Sequence, residues 1–113
     1  MAGHFIEWGG LSAKAIAPGA QLRVAWGEKI MLSYVELAPG GKVPLHSHPH
    51  EQGGICLEGA MEFTIGDETR IIKRGESWMI PGGVTHAVRA LEQGAVALDI
   101  FSPPREDYKY AAE

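Results

Sequence analysis

Residues 45–52 read LHSHPHEQ, so three histidines, a glutamate and a glutamine crowd together behind a proline- and glycine-rich run. Imidazole is the commonest protein ligand for transition metals, and alternate residues of an extended chain share one face. His46, His48, His50 and Gln52 have one parity; Ser47, Pro49 and Glu51 have the other. His46 and His48 can therefore converge on one ion, although Pro49 disturbs the alternation beyond them. A further histidine, His86, follows IPGGVT at the start of another predicted strand, where a β-barrel could carry it across to the pair. His50 reads as a neighbour of the cluster or as a solvent-facing residue. His4, without such company, reads as a surface residue.

A second constellation lies near the C-terminus. In AVALDIF, residues 95–101, Val96, Leu98 and Ile100 share one face of a predicted strand and Ala97, Asp99 and Phe101 the other. A carboxylate buried in such a strand without partners is costly, so Asp99 is expected at a rim, in an ion pair or in a functional role. Proton transfer by Asp99 suits the last of these. Pro103 and Pro104 stiffen the exit and fix where Arg105 points, and a guanidinium grips a carboxylate well. The structural alternatives are an Asp99–Arg105 salt bridge and core packing for Phe101.

The elements that must hold these residues are short. Turn signals recur at APG (17–19), WGE (26–28), APGG (38–41), EGA (58–60), GDE (66–68), RGE (74–76), PGG (81–83) and EQG (92–94). Between them lie apolar runs such as KIMLSYVEL, MEFTI, TRIIK, SWMI, HAVRAL and AVALDIF, the pattern of a sandwich or barrel. MEFTIGDETRIIK reads as a hairpin turning at Gly66-Asp67. GGLSAKAIA is too short and glycine-flanked to make a trustworthy helix, while PPREDYKYAAE can form one turn after Pro104.

Composition narrows the function. At 113 residues the chain is expected to be one domain, residues 1–113, and 45% apolar residues exclude disorder despite 15 glycines and 7 prolines. A net charge of −4 offers no basic field for nucleic acid. No apolar run reaches the ~20 residues of a spanning helix, and MAGHFIEWGG does not read as a secretion signal, so the expectation is a cytoplasmic protein with no membrane partner. The single cysteine, Cys56, reads as a small buried hydrophobe.

The sequence G-x5-H-x-H-x3-Q-x6-G, from Gly40 through His46, His48 and Gln52 to Gly59, resembles the first motif of the cupin superfamily. The second motif is matched by G-x5-P-x-G-x2-H, from Gly75 through Pro81 and Gly83 to His86. The resemblance implies an all-β, single-domain small β-barrel of jelly-roll type, with its motif core at residues 40–90. Two departures stand out: Gln52 replaces the family's usual glutamate ligand, and Ala90 replaces the asparagine that often ends the second motif. Glu51 is one residue off the family spacing and on the wrong parity, so Gln52 is the better ligand. Three imidazoles and an amide would leave the full 2+ charge on an ion, and four ligands leave room for substrate oxygens. Such a donor set suits zinc, nickel, iron or copper, with manganese also compatible.

HSHPHEQ, the glutamine ligand and DIFSPPREDY (99–108) together closely resemble the KdgF family of small cupins, the pectin degradation proteins. That resemblance implies an enzyme of uronate catabolism that opens 4,5-unsaturated uronate monosaccharides from pectin or alginate into linear ketouronates. It implies one divalent transition metal ion on His46, His48, Gln52 and His86, with activity carried by Asp99, Phe101 and Arg105. Asp99 would transfer the proton, Arg105 would bind the uronate carboxylate and Phe101 would pack against the sugar. The competing readings are another metal cupin enzyme, a dioxygenase or sugar isomerase, and a non-catalytic sugar-binding cupin. Phe5, Ile6, Trp8 and the hairpin at 20–37 supply apolar surface beyond one core's needs, which suggests a homodimer.

Overall fold

The turn-punctuated apolar runs fold into strands. The computed structural model describes residues 3–109. In it β1 spans Lys14–Ala17, β2 Ala20–Trp26, β3 Met31–Leu37, β4 Lys42–His46, β5 Glu51–Ile65, β6 Glu68–Lys73, β7 Ser77–Ile80 and β8 His86–Ser102. A 3-10 turn covers Trp8–Gly10, and one helical turn, α1, covers Glu106–Lys109. The helical turn after Pro104 thus forms as expected, and GGLSAKAIA contributes β1 rather than a helix. None of the helices among the described residues is long and apolar enough to cross a membrane.

The strands pair antiparallel in the order β1-β2-β3-β8-β5-β6, with β4 added to β8 and β7 to β5. The predicted hairpin is present: Ile65 pairs with Glu68 across Gly66-Asp67. Two expected turns are absent as chain reversals. EGA lies inside the 15-residue β5 and EQG inside the 17-residue β8, where the register shifts between Cys56 and Glu58 and again between Gly59 and Met61. Gly59 and Gly94 both have φ of +74°, so glycine is spent on bulges that bend a continuing ladder. A Cβ on Gly59 would lie 2.0 Å from the Gly94 carbonyl oxygen, which shows how tightly the two bends nest.

This bend positions the site. One arm of the β5–β8 ladder pairs Gln52 with Phe101 and Gly54 with Asp99; the other pairs Ile65 with His86. The ladder doubles back so that both arms meet around His48, whose ring lies 5.5 Å from Phe101 and 4.9 Å from His86. The core between the arms contains Leu22, Val24, Met31, Met61, Phe63, Trp78 and Ile80, all nearly inaccessible, together with the predicted buried Cys56. Strand β3 alternates as the sequence demands, with Met31, Ser33, Val35 and Leu37 facing in. In β8 the inward face is that of Ala97, Asp99 and Phe101, while Val96, Leu98 and Ile100 lie on the more exposed side.

Candidate metal centre and active site

His46 ends β4 and His86 begins β8, and the two are register partners, with rings 4.2 Å apart. His48 lies not on a strand but in the loop 47–50 between β4 and β5, so the continuous alternation read from the sequence stops at His46. A hydrogen bond from the Gly83 amide to the His48 carbonyl at 2.8 Å pins this loop to the PGG turn. The two halves of the sequence pattern thus hold each other. Potential ligand atoms of His46, His48 and His86 all lie within 4.8 Å of one another.

The hydrogen bonds around these rings fit a metal. Nδ1 of His46, His48 and His86 lies 2.8, 3.1 and 2.9 Å from the carbonyl oxygens of Pro44, His50 and Val84. A carbonyl only accepts, so each Nδ1 carries the proton and each neutral ring keeps its lone pair on Nε2. Nε2 of His86 is buried without a hydrogen-bond partner among the described residues. Burial pushes the pKa of His86 down to about 4, opposed by the Val84 carbonyl, and burial followed by the Arg105 charge lowers His48. Burial thus favours the neutral form of the His48 and His86 rings, the form that metal binding requires.

Gln52 Oε1 lies 2.9 Å from His48 Nε2. Its amide orientation is fixed on the other side, where Nε2 donates to Asp99 Oδ1 at 3.0 Å. A carbonyl oxygen and an imidazole lone pair thus face each other, an arrangement that a shared cation relieves.

Asp99 Oδ1 accepts a second hydrogen bond, from Trp78 Nε1 at 3.0 Å. The indole reaches it across Gly54, which pairs with Trp78 on one side and Asp99 on the other. A Cβ on Gly54 would sit 2.5 Å from the indole ring, so only a bare backbone lets the bond form. Burial pushes the pKa of Asp99 up to about 6, against the pull of the Gln52 and Trp78 hydrogen bonds and of the Arg105 charge. Among the described residues both donors to this carboxyl use Oδ1, and Oδ2 takes none.

Arg105 is buried and does not bridge to Asp99. Its Nε and Nη2 are bound to Asp107 Oδ1 and Oδ2 at 3.3 and 2.8 Å. The guanidinium carbon stacks 3.7 Å from the Tyr108 ring centroid and 5.2 Å from that of Phe101. One two-toothed edge is therefore spent on Asp107, and Nη1 is buried with no partner among the described residues. Phe101, 2% exposed, wedges between the His48 and Tyr108 rings. An interior cavity of about 40 Å³ is lined by His46, Gln52, His86, Asp99, Phe101 and Arg105.

Residues 33–101 match the Cupin_2 cupin domain. The pectin degradation protein KdgF of Dickeya dadantii (strain 3937) is 35% identical over 86 residues, which cover 75% of this chain and 78% of that protein. The chain belongs to the KdgF family of cupins. A solved KdgF structure from Halomonas sp. superimposes with a TM-score of 0.88 at 28% identity, covering 95% of this chain and 99% of that one. Cupins of other chemistry are also related: oxalate decarboxylase OxdC of Bacillus subtilis (strain 168) is 32% identical over 72 residues, 59% of this chain but 19% of that protein.

In this KdgF-family barrel the sequence-selected residues form one connected group: His46, His48 and His86, then Gln52, Asp99, Phe101 and Arg105. Glu51 is exposed, and Gln52, not Glu51, touches the histidines. His50 stands edge-on to His48 at 5.5 Å, outside the three-histidine cluster. Trp78, Asp107 and Tyr108 were not singled out by their sequence. A tryptophan in the four-residue strand SWMI signals a ring that must go inside, but its cross-strand reach depends on the unreadable register with Gly54 and Asp99.

Proposed function

We propose that this protein opens 4,5-unsaturated uronate monosaccharides, as released from pectin or alginate, to linear ketouronates. The observation that carries the reading is that one cavity region brings together convergent imidazole nitrogens, a carboxylate oxygen with no hydrogen-bond donor among the described residues and a guanidinium nitrogen with no acceptor among them. That combination matches a small anionic sugar whose conversion needs proton movement. The name of the Dickeya relative, a pectin degradation protein, supports the substrate class.

His46, His48, His86 and Gln52 would hold a divalent transition ion, which would supply Lewis-acid stabilisation of charge developing on oxygen. Arg105 offers Nη1 to the uronate carboxylate, steadied by Asp107 and Tyr108. Asp99 takes the anomeric hydroxyl proton as the bond between C1 and the ring oxygen breaks, and a proton returned to C4 turns the resulting enol into the ketone. Substrate and product are isomers, so no electrons leave. Hydration of the double bond before opening uses the same groups in another order. Phe101 packs at the sugar and shuts out water. The reading carries with it a cytoplasmic location and a homodimer formed through the exposed outer strands.

The test is the ultraviolet absorbance of the conjugated C4=C5 bond in freshly released unsaturated uronate. Added protein is expected to accelerate its decay, chelation to abolish the acceleration, and Asp99→Asn to lose it while retaining metal. Unaccelerated decay with folded, metal-loaded protein would overturn the uronate assignment. Turnover that consumes oxygen would replace it with a dioxygenase reading.

A further inference from the structure

Among the described residues, three buried side-chain polar atoms in the cavity region lack hydrogen-bond partners: His86 Nε2, Arg105 Nη1 and Ser33 Oγ. The proposed function gives the first two a metal and a carboxylate, and leaves the third unused. Ser33 is 0% exposed and faces inward from the middle of β3. It lies directly opposite Asp99 in the β3–β8 register. Opposed residues of antiparallel strands have Cβ atoms roughly 4.5–5.5 Å apart, yet Ser33 Oγ makes no direct bond to the carboxyl. Trp78 and Gln52 both hold Asp99 by Oδ1, no donor among the described residues reaches Oδ2, and Ser33 and Asp99 both line the cavity. A hydroxyl buried without a partner is costly, and a site of ~10–15 Å³ suffices for one water, less than the 40 Å³ of this cavity.

We propose that Ser33 Oγ and Asp99 Oδ2 together form a subsite for a single O–H group, a bound water or a hydroxyl of the ligand, on the cavity-facing side of the paired strands β3 and β8. Ser33 fixes the position of that oxygen, and Asp99 Oδ2 takes its second hydrogen bond. The catalytic consequence rests on the uronate reading; the existence of the subsite does not.

Ser33→Ala, with Ser33→Cys as a second variant that preserves packing, separates the possibilities in the zinc-loaded protein. The expected result is a thermal midpoint lower by about 5 °C in both variants, with an ordered water bridging residues 33 and 99 in a crystal structure of the parent and missing from the variants. If the oxygen belongs to water, kcat falls roughly 10-fold at unchanged KM; if it belongs to the sugar, KM rises roughly 10-fold at unchanged kcat. Variants as stable as the parent or more so, with no bridging oxygen in the parent, would overturn the subsite. A bridging water and the lowered midpoint in a protein that does not turn over unsaturated uronate would uphold the subsite and sink the uronate reading alone.

Discussion

Gln52 faces two ways, with Oε1 2.9 Å from His48 Nε2 and Nε2 donating to Asp99 Oδ1 at 3.0 Å. A glutamate there would still offer oxygen to an ion but could no longer donate to Asp99. Two carboxylates at this spacing cannot both stay ionised without cost, and the added charge would weaken the ion as a Lewis acid. Gln52→Glu is therefore expected to retain zinc at least as tightly in a chelator competition while losing roughly 100-fold in kcat, the scale of one lost acid–base group. Removing the acceptor gives the converse: Asp99→Ala frees the Gln52 amide to turn, and metal affinity is expected to fall about 10-fold or more, as for other lost supports of a ligand. The convergence of His46, His48 and His86 was legible because their residue type and spacing are displayed by the chain itself, whereas Gln52 entered through the resemblance to the first cupin motif. Ser33 and Trp78 were not, since a serine in KIMLSYVEL and a tryptophan in SWMI acquire meaning only from what lies across the sheet.

At the scale of elements, β5 serves as the spine on which β7 and β8 meet, and Gly54 is the point where a side chain would keep Trp78 from Asp99. Gly54→Ala places a methyl group 2.5 Å from the indole. The ring must shift, and overpacking of this kind costs about 1–3 kcal/mol, to be read as a lower denaturation midpoint at unchanged m. The helical turn α1 has a different task. Asp107 takes the Nε–Nη2 edge of Arg105 but is itself largely exposed, so its loss costs under ~1 kcal/mol in stability while letting the guanidinium wander. Asp107→Asn is expected to raise KM for the uronate several-fold with kcat and thermal midpoint nearly unchanged. That split distinguishes a clamp on a binding residue from a general structural role. The strands themselves were readable from apolar alternation and turn residues. The bends at Glu58–Ala60 and Glu92–Gly94 were not, because glycine at positive φ ends a strand and bulges one equally well, and only the partner strand decides between them.

For the whole molecule, the bent ladder leaves one face outside. Met79 and Ile100 flank Gly53 in register on the outer surface, 68% and 39% exposed, and Leu32 continues the row on β3. Residues on β8 alternate between this face and the cavity, so Ile100 lies between Asp99 and Phe101 in sequence but points away from both. Burying that row against a second copy would remove apolar surface from water and stiffen the strand that carries the proposed acid–base residue and the phenylalanine. Ile100→Lys puts a charge into the row without touching the cavity side. Light scattering is expected to find the parent as a dimer and the variant shifted to monomer at the same concentration, with the metal retained. A monomeric parent would discard the pairing and leave the face as ordinary surface. A dimer that survives Ile100→Lys would move the interface to the edge near Phe5 and Trp8, where Phe5 stands free of the barrel and Trp8 stacks on Tyr34 at 5.5 Å.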